Sequence, residues 1–340
     1  MNEYLRKSFV GFLFIPSLLL AVGTGYAADI QDRTLKFALQ TNPGTAQYDG
    51  AEKFAELVDQ KSEGKITIRI FGGGTLGKDI AVTSAMQGGT IEMSLMNASL
   101  LNGVVKEFSV FDFPYLFNDE KEAYAVLDGP IGKKLLDKLP EKGLVGLAYP
   151  ELGFRHMHNN RRPITKLEDI QGLKIRVIET PVYIDFVNAL GANATPIPFP
   201  EVFTALETGT VDGATNPLIT IPVMKFDEVQ KYLSLTRHMY NPQIILISKR
   251  TCDTLSEDER KILQDAANEA TDYEREVSQK KNVEALETLE ETMEVNEVPP
   301  EEIERMKEKA QPVIDRYTKE VGEELVKEVY AEIEKVRGGK

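Results

Sequence analysis

Arg176 is the residue whose type and setting point most directly to chemistry in this chain of 340 residues. It lies in Gly172-Leu173-Lys174-Ile175-Arg176-Val177-Ile178, where Leu173, Ile175 and Val177 alternate with Lys174, Arg176 and Ile178. That is the period-two pattern of a strand. Burying the Leu173/Ile175/Val177 face turns Arg176 the other way, near a strand end, and ligands of open α/β sheets lie in the crevice beyond such ends. A guanidinium is always charged and presents a planar fork of donors that fits a carboxylate bidentately. The stretch therefore reads as a carboxylate clamp or, more simply from these residues alone, as a surface arginine on an edge strand.

Other patterns compete for a chemical role. Gly72-Gly73-Gly74-Thr75-Leu76-Gly77-Lys78-Asp79 nearly matches G-x-x-x-x-G-K-[ST] and lies between a strand and a helix. The mismatch falls where a hydroxyl would hold Mg²⁺, and Asp79 would set a carboxylate against a polyphosphate. A glycine turn with Asp79 capping the helix is the better account. His156 and His158 share a strand face, but His238 is the only other histidine and no C-x-x-C completes a tetrahedral site, so no metal is assigned. Beside Arg155 these imidazoles serve equally well as wall or anion contacts. There is no G-x-S-x-G elbow. Asn216 tips the turn-rich strand end Asp212-Gly213-Ala214-Thr215-Asn216-Pro217, where its amide either donates to a ligand carboxylate or closes a turn. On its own, the turn is the favoured reading. The paired glutamates of the tail (Glu290/Glu291, Glu301/Glu302, Glu323/Glu324) read as solvated helix faces.

The elements that must position these side chains follow from periodicity. Strands are expected at Leu35–Leu39, Ile66–Ile70 and Ile91–Leu95, with helices near Ala51–Val58 and from Asp79 between them. That order reads as βαβ units and a parallel sheet. The aromatic run Val110–Phe117 reads as a packed crossing. A second α/β set begins near Gly153: strand Phe154–Asn159, the arginine strand, a helix to Leu190, a short strand at Thr195–Ile197 and a helix from Glu201. Strands Leu233–Met239 and Ile244–Ser248 return toward the first set. Charged helical pattern then runs from Ser256 to about Met293 and on to Val336. Two sheets with repeated crossings imply a bilobed protein with a cleft.

Composition narrows the class. Hydrophobic residues make up 42% and charged residues 28%, the proportions of a folded globular chain. Arg6 and Lys7, the apolar run Phe9–Val22 and Gly25-Tyr26-Ala27-Ala28 read as a signal peptide over residues 1–27. The run is short of the ~20 residues that a spanning helix needs. Cys252 is the only cysteine, so no disulfide forms within the chain. The formal charge is −14, and −15 once the leader with Glu3, Arg6 and Lys7 is gone, which argues against a nucleic-acid partner. Within it, Gly153–Arg176 holds Arg155, Arg161, Arg162, Lys166, Lys174 and Arg176 against Glu168 and Asp169, a local attraction for a small anion.

Together the stretches FGGGTLG (71–77), FDFPYLF (111–117), GFRH (153–156), RPI (162–164), GLKIRV (172–177), LGA (190–192), FPEV (199–202), DGATNPL (212–218) and FDEVQKYLSL (226–235) carry a likeness. The chain resembles the periplasmic solute receptors of tripartite ATP-independent periplasmic (TRAP) transporters, the dicarboxylate-binding, DctP-like family. The resemblance covers nearly the whole chain after the leader. It implies an α/β, two-lobed periplasmic-binding-protein-like fold with a ligand cleft between lobes, hinge strands and a long spanning helix. Lobe I would comprise 28–152 plus 242–281, and lobe II 153–241 plus 282–340. No catalysis and no cofactor are implied.

The family's carboxylate-gripping arginine falls on Arg176, a second arginine on Arg155, and the asparagine contacting the same acid on Asn216, with Phe199 against the ligand. Gln40 and Asn97 stand where the sialic-acid branch has a polar asparagine and a glutamate, which argues against sialic acid. Tyr183 and His156 would be close by. Thr215 replaces a glutamate found in many members. The expected ligand is a C4-dicarboxylate, hydroxy acid or sugar acid, handed in the periplasm from a monomeric receptor to the small and large TRAP membrane subunits. An exported enzyme acting on a small carboxylic acid, or a receptor domain serving a sensor, are the alternative classes.

Overall fold

Hydrophobic alternation builds the first sheet. In the computed structural model, which describes residues 29–338, β1 (Arg33–Leu39), α1 (Ala46–Lys61), β2 (Ile66–Phe71), α2 (Asp79–Gly88) and β3 (Met93–Asn97) follow in order. The leader expected over residues 1–27 lies outside the described residues. β2 and β3 both pair parallel to β1, with Leu35 opposite Ile68 and Phe37 opposite Met93. α1 starts at Thr45, whose hydroxyl accepts the Tyr48 N–H, and buries Ala51, Phe54 and Val58 against the sheet. Two 3-10 turns, Ala98–Gly103 and Lys106–Asp112, then lead to α3 (Glu120–Asp128), α4 (Pro130–Leu136) and β4 (Leu144–Ala148). Phe108, Phe111 and Phe113 are fully buried there, so the aromatic run is a packed crossing.

The second set runs β5 (Glu151–Asn159), β6 (Lys174–Val177), α5 (Pro181–Ala189), β7 (Asn193–Pro196), α6 (Val202–Glu207), β8 (Gly213–Pro217) and α7 (Thr220–Val223). β6 pairs parallel to both β7 and β8, so the arginine strand is internal, not an edge. The long β9 (Tyr232–Ser248) follows, then α8 (Lys249–Asp253), α9 (Glu257–Thr292), β10 (Glu294–Glu297), α10 (Pro300–Val321) and α11 (Glu323–Gly338).

β9 ties the sheets together. The sequence pattern predicts two strands here, Leu233–Met239 and Ile244–Ser248, yet the chain is one strand of 17 residues. Pro242 is tolerated because it sits where the β5–β9 register shifts, between Glu151 and Gly153, and no ladder donor is needed there. The first half of β9 pairs with β5 and β10, and its second half with β3 and β4.

α9, of 36 residues, spans about 54 Å. Ser256 and Glu259 form a capping box at its start. Ala266, Ala267 and Ala270 pack in the core under β1, while Leu289 and Met293 join Val202, Leu206, Phe226 and Leu233 in the core of the second set. Small residues allow the close approach: a Cβ on Gly50 of α1 would stand 2.7 Å from Glu274 Cγ of α9. The last helices divide their contacts. On α10 the Tyr317 hydroxyl donates to Asp185 of α5 at 2.8 Å, and on α11 Arg337 pairs with Glu122 of α3 at 2.8 Å.

Candidate functional site

The ends of these strands converge on one cavity with about 670 Å³ of unfilled space, part of it open to solvent. From the first sheet come Gln40 and Thr41 after β1, Asp79 at the first turn of α2, Met96 and Asn97 ending β3, and Gln243 of β9. From the second come Arg155 of β5, Arg176 of β6 with Ile178 and Glu179 just beyond, Phe199, Asn216 of β8, and Thr220 of α7.

Arg176 is only 3% exposed, because the face of β6 that a lone strand would show to water is covered by the first sheet's loops. Its Nε and Nη2 donate to the Ile197 carbonyl at 2.9 and 2.7 Å. This leaves Nη1–H and the second Nη2–H, the end-on pair of the fork, without a protein acceptor among the described residues. Burial, and then the neighbouring Arg155 charge, pull the Arg176 pKa down to about 9, against the upward effect of Glu179 and Asp79. It remains protonated at neutral pH.

Arg155 is held from all sides. Nε donates to Thr215 Oγ1 at 3.0 Å, Nη1 to Asn241 Oδ1 at 2.8 Å, and Nη2 to the Thr215 carbonyl. Thr215 thus orients the guanidinium with neutral oxygens. The Tyr183 ring centroid lies 5.6 Å from Arg155 Cζ. Asp112 is buried nearby, its carboxyl pushed up to about 7 by burial against the hydroxyl of Ser99 and the charge of Arg155.

Asn216 depends on a histidine. Its Oδ1 lies 3.1 Å from His158 Nε2, while His158 Nδ1 lies 2.9 Å from Gln230 Oε1. Burial holds the imidazole neutral, at about 4. A neutral ring donates from one nitrogen and accepts at the other. Both ring nitrogens face amide oxygens, so the neutral ring donates to one of Asn216 and Gln230 and accepts from the amide nitrogen of the other. The His158 ring stacks on Phe226, whose edge meets Phe199 at 6.4 Å between centroids.

The remaining expected residues separate. Gln40 donates to the Gly77 carbonyl at 2.9 Å and leaves Oε1 buried without a partner. Asn97 Oδ1 accepts the Ser99 N–H at 2.9 Å, and its amide nitrogen is buried and unpartnered. Tyr183 and His156 are buried but do not line the cavity. Tyr183 packs beneath Arg155, with its hydroxyl on the Asn241 amide. His156 Nδ1 faces the Arg237 N–H at 3.5 Å, and burial drives its pKa down to about 3. Among the described residues no group of three or more His, Cys, Asp and Glu is arranged to hold a metal ion.

Asp79 and Glu179 are the charged lining residues that sequence reasoning missed. Asp79 does not cap α2. The N-cap position belongs to Lys78, in extended backbone, and Asp79 is the first helical residue with its carboxyl turned to the cavity. Its Oδ1 is buried without a donor. Burial, with Glu179 adding to it and the Arg176 charge and the Gln40 side chain opposing, pushes the carboxyl up to about 7. The only signal in the sequence was the near-P-loop itself, which placed a carboxylate after a glycine turn.

Comparison with known proteins agrees with this architecture. The family described as bacterial extracellular solute-binding protein, family 7, matches residues 37–320. The C4-dicarboxylate-binding periplasmic protein DctP of Rhodobacter capsulatus is 33% identical over 330 residues, 96% of this chain and 98% of its own. A TRAP periplasmic solute-binding protein from Ochrobactrum anthropi is 51% identical with a TM-score of 0.83, over 92% of this chain and 98% of that one. The sugar acid binding protein of Advenella mimigardefordensis, solved with galactonate, is 42% identical with a TM-score of 0.88, over 90% and 99%. With a family match over most of its length and relatives of this similarity, the chain belongs to family 7 of the bacterial extracellular solute-binding proteins, the DctP-like receptors of TRAP systems.

Proposed function

We propose that the protein is a periplasmic receptor that encloses a small organic acid, grips its carboxylate through Arg176, and delivers it to the membrane subunits of a TRAP-type secondary transporter. The observation that carries this reading is the buried Arg176 guanidinium on the cavity wall, anchored on one edge by Ile197 and open on the other. Arg155 supplies a second positive charge, Asn216 an amide donor, and Phe199 an apolar face for the ligand's carbon chain. Gln40 and Asn97 meet the other side of the ligand. Tyr183 supports Arg155 from below, and His156 belongs to the wall behind β5. The lobes are 28–152 plus 242–281 and 153–241 plus 282–340, with β5 and β9 passing between them. Galactonate, bound by the Advenella relative, and the C4-dicarboxylates of the Rhodobacter relative give the acids to try first.

Calorimetric titration of Arg176→Ala and Arg176→Lys with D-galactonate and succinate tests the grip. Removing one partner of a buried, hydrogen-bonded charge pair costs about 2–5 kcal/mol, on the order of thirty- to several-thousand-fold in Kd. Lysine should bind poorly too, since a point charge cannot reproduce the fork. Binding of Arg176→Ala within about threefold of wild type would overturn the assignment.

A further inference from the structure

We infer that the ligand carries a single carboxylate and a hydroxylated tail, as in an aldonate, and that Asp79 is the residue that rejects a second carboxylate. The inference rests on the receptor reading above and narrows it. The two walls of the cavity are chemically unequal. Both arginines, Arg155 and Arg176, come from the β5 and β6 side. The facing wall, from β1, α2, β3 and β9, contributes no cationic side chain to the lining among the described residues. Lys78 is the nearest candidate by sequence, and its ammonium is engaged by Glu201 at the rim. What that wall does contribute is two buried oxygens without a donor, Asp79 Oδ1 and Gln40 Oε1, and one unpartnered donor, the Asn97 amide nitrogen, while Glu179, the other carboxylate of the lining, lies beyond β6 on the arginine side.

A buried acceptor left without a donor is costly, so a ligand that donates to it gains more than the hydrogen bond alone. Ligand hydroxyls donate, whereas an ionised carboxylate only accepts. A dicarboxylate gripped at Arg176 and reaching the facing wall would bring its second charge toward the Asp79 carboxylate, and like charges sharing a site are disfavoured. Asp79 therefore acts both as an attractive partner for a polyol chain and as a repulsive element against the doubly charged analogue, the two routes by which a site becomes specific. The cavity's other charged groups, Arg155, Arg176 and Glu179, are common to both ligands and do not by themselves distinguish them.

Matched pairs that differ only in oxidation of the terminal CH₂OH test this: D-galactonate against galactarate, and D-gluconate against glucarate. Titration at pH 8 keeps Asp79 ionised, above the value near 7 to which burial raises it. Wild type should bind the better aldonate about 100-fold tighter than its aldarate. Asp79→Asn, which keeps an acceptor oxygen and adds a donor, should narrow that ratio by about tenfold or more, chiefly by gaining aldarate affinity. Equal binding of both members by wild type, or a ratio unchanged within about threefold in Asp79→Asn, overturns the inference. So does tight binding of succinate with no aldonate bound. In each of these cases acid binding that is lost in Arg176→Ala leaves the receptor reading intact. Failure of every acid to bind overturns both.

Discussion

At the scale of single residues, the cavity works by pairing charged groups with neutral ones that aim them. Ile197 aims Arg176, Thr215 and Asn241 aim Arg155, and His158 aims Asn216. His158 never touches the cavity, so its effect on binding must pass through Asn216. His158→Phe keeps the stack on Phe226 and removes both ring nitrogens. We expect it to weaken acid binding about tenfold, the size of one lost hydrogen bond of about 1–1.5 kcal/mol. In an Asn216→Ala background the same substitution should have little further effect, as expected for coupled neighbours. Additive losses in that double-mutant cycle would mean His158 acts by some other route, and circular dichroism of each variant checks that the fold is kept.

At the scale of elements, the junction of α9 with β5 is held by a buried hydrogen-bond network. Glu151, at the start of β5, accepts from Tyr124 of α3, from Tyr240 of β9 at 3.3 Å, and from Ser278 and Gln279 of α9 at 3.1 and 2.8 Å. Glu274 of α9 accepts the Glu151 N–H at 2.7 Å, and Gln47 of α1 reaches the Glu151 carbonyl at 2.7 Å. Arg275 is turned aside to Asp128 and the Tyr149 carbonyl, and does not neutralise the pair. Burial pushes Glu151 up to about 7, with Glu120 adding to it, and holds Glu274 well above the usual range. A carboxyl raised in this way binds more protons folded than unfolded between its ordinary value of 4.5 and 7. Its contribution to stability therefore falls as pH rises through that window. The buried imidazoles of His156, His158 and His238 are depressed by burial and pull the other way, losing stability as pH falls below 6.5. Replacing Glu151 with Gln removes one term only. We expect the stability of Glu151→Gln relative to wild type to improve by on the order of 2–3 kcal/mol from pH 4.5 to pH 8. Urea melts at the two pH values measure it, and a pH-independent difference would show that Glu151 does not titrate as the buried network requires.

At the scale of the whole molecule, the two sheets meet across the cavity mouth through the glycine loop. Gly74, at φ +68°, holds a backbone conformation that suits glycine, and a Cβ there would stand 3.1 Å from Pro200 Cγ on the opposite side. Lys78 and Glu201 pair across the same rim. An exposed pair of this kind is weak and screened by salt, so we expect contacts of a ligand with both walls to be what favours closure of the rim. Binding should therefore shift the population toward the closed form. Small-angle scattering with saturating acid is expected to show a smaller radius of gyration than without it. Superimposable profiles would point to a preformed pocket and sink the hinge.

The residues by themselves determined the local pieces: the alternation of 173–177, the helix from Ser256, the βαβ order, and the family likeness that pointed to Arg176, Arg155, Asn216, Phe199, Gln40 and Asn97 together. Alternation reports that one face of a strand is apolar and will leave water. It says nothing about whether the other face meets solvent or a second lobe. That depends on contacts far apart in sequence, and so only the tertiary structure made Arg176 a buried cleft residue. It also brought Asp79 and Glu179 into one cavity, chose His158 over His156 as the partner of Asn216, and ran β9 straight through Pro242. The gap in the strand pattern at 240–243 is a local feature, and here pairing on both sides of β9 carried the strand across it.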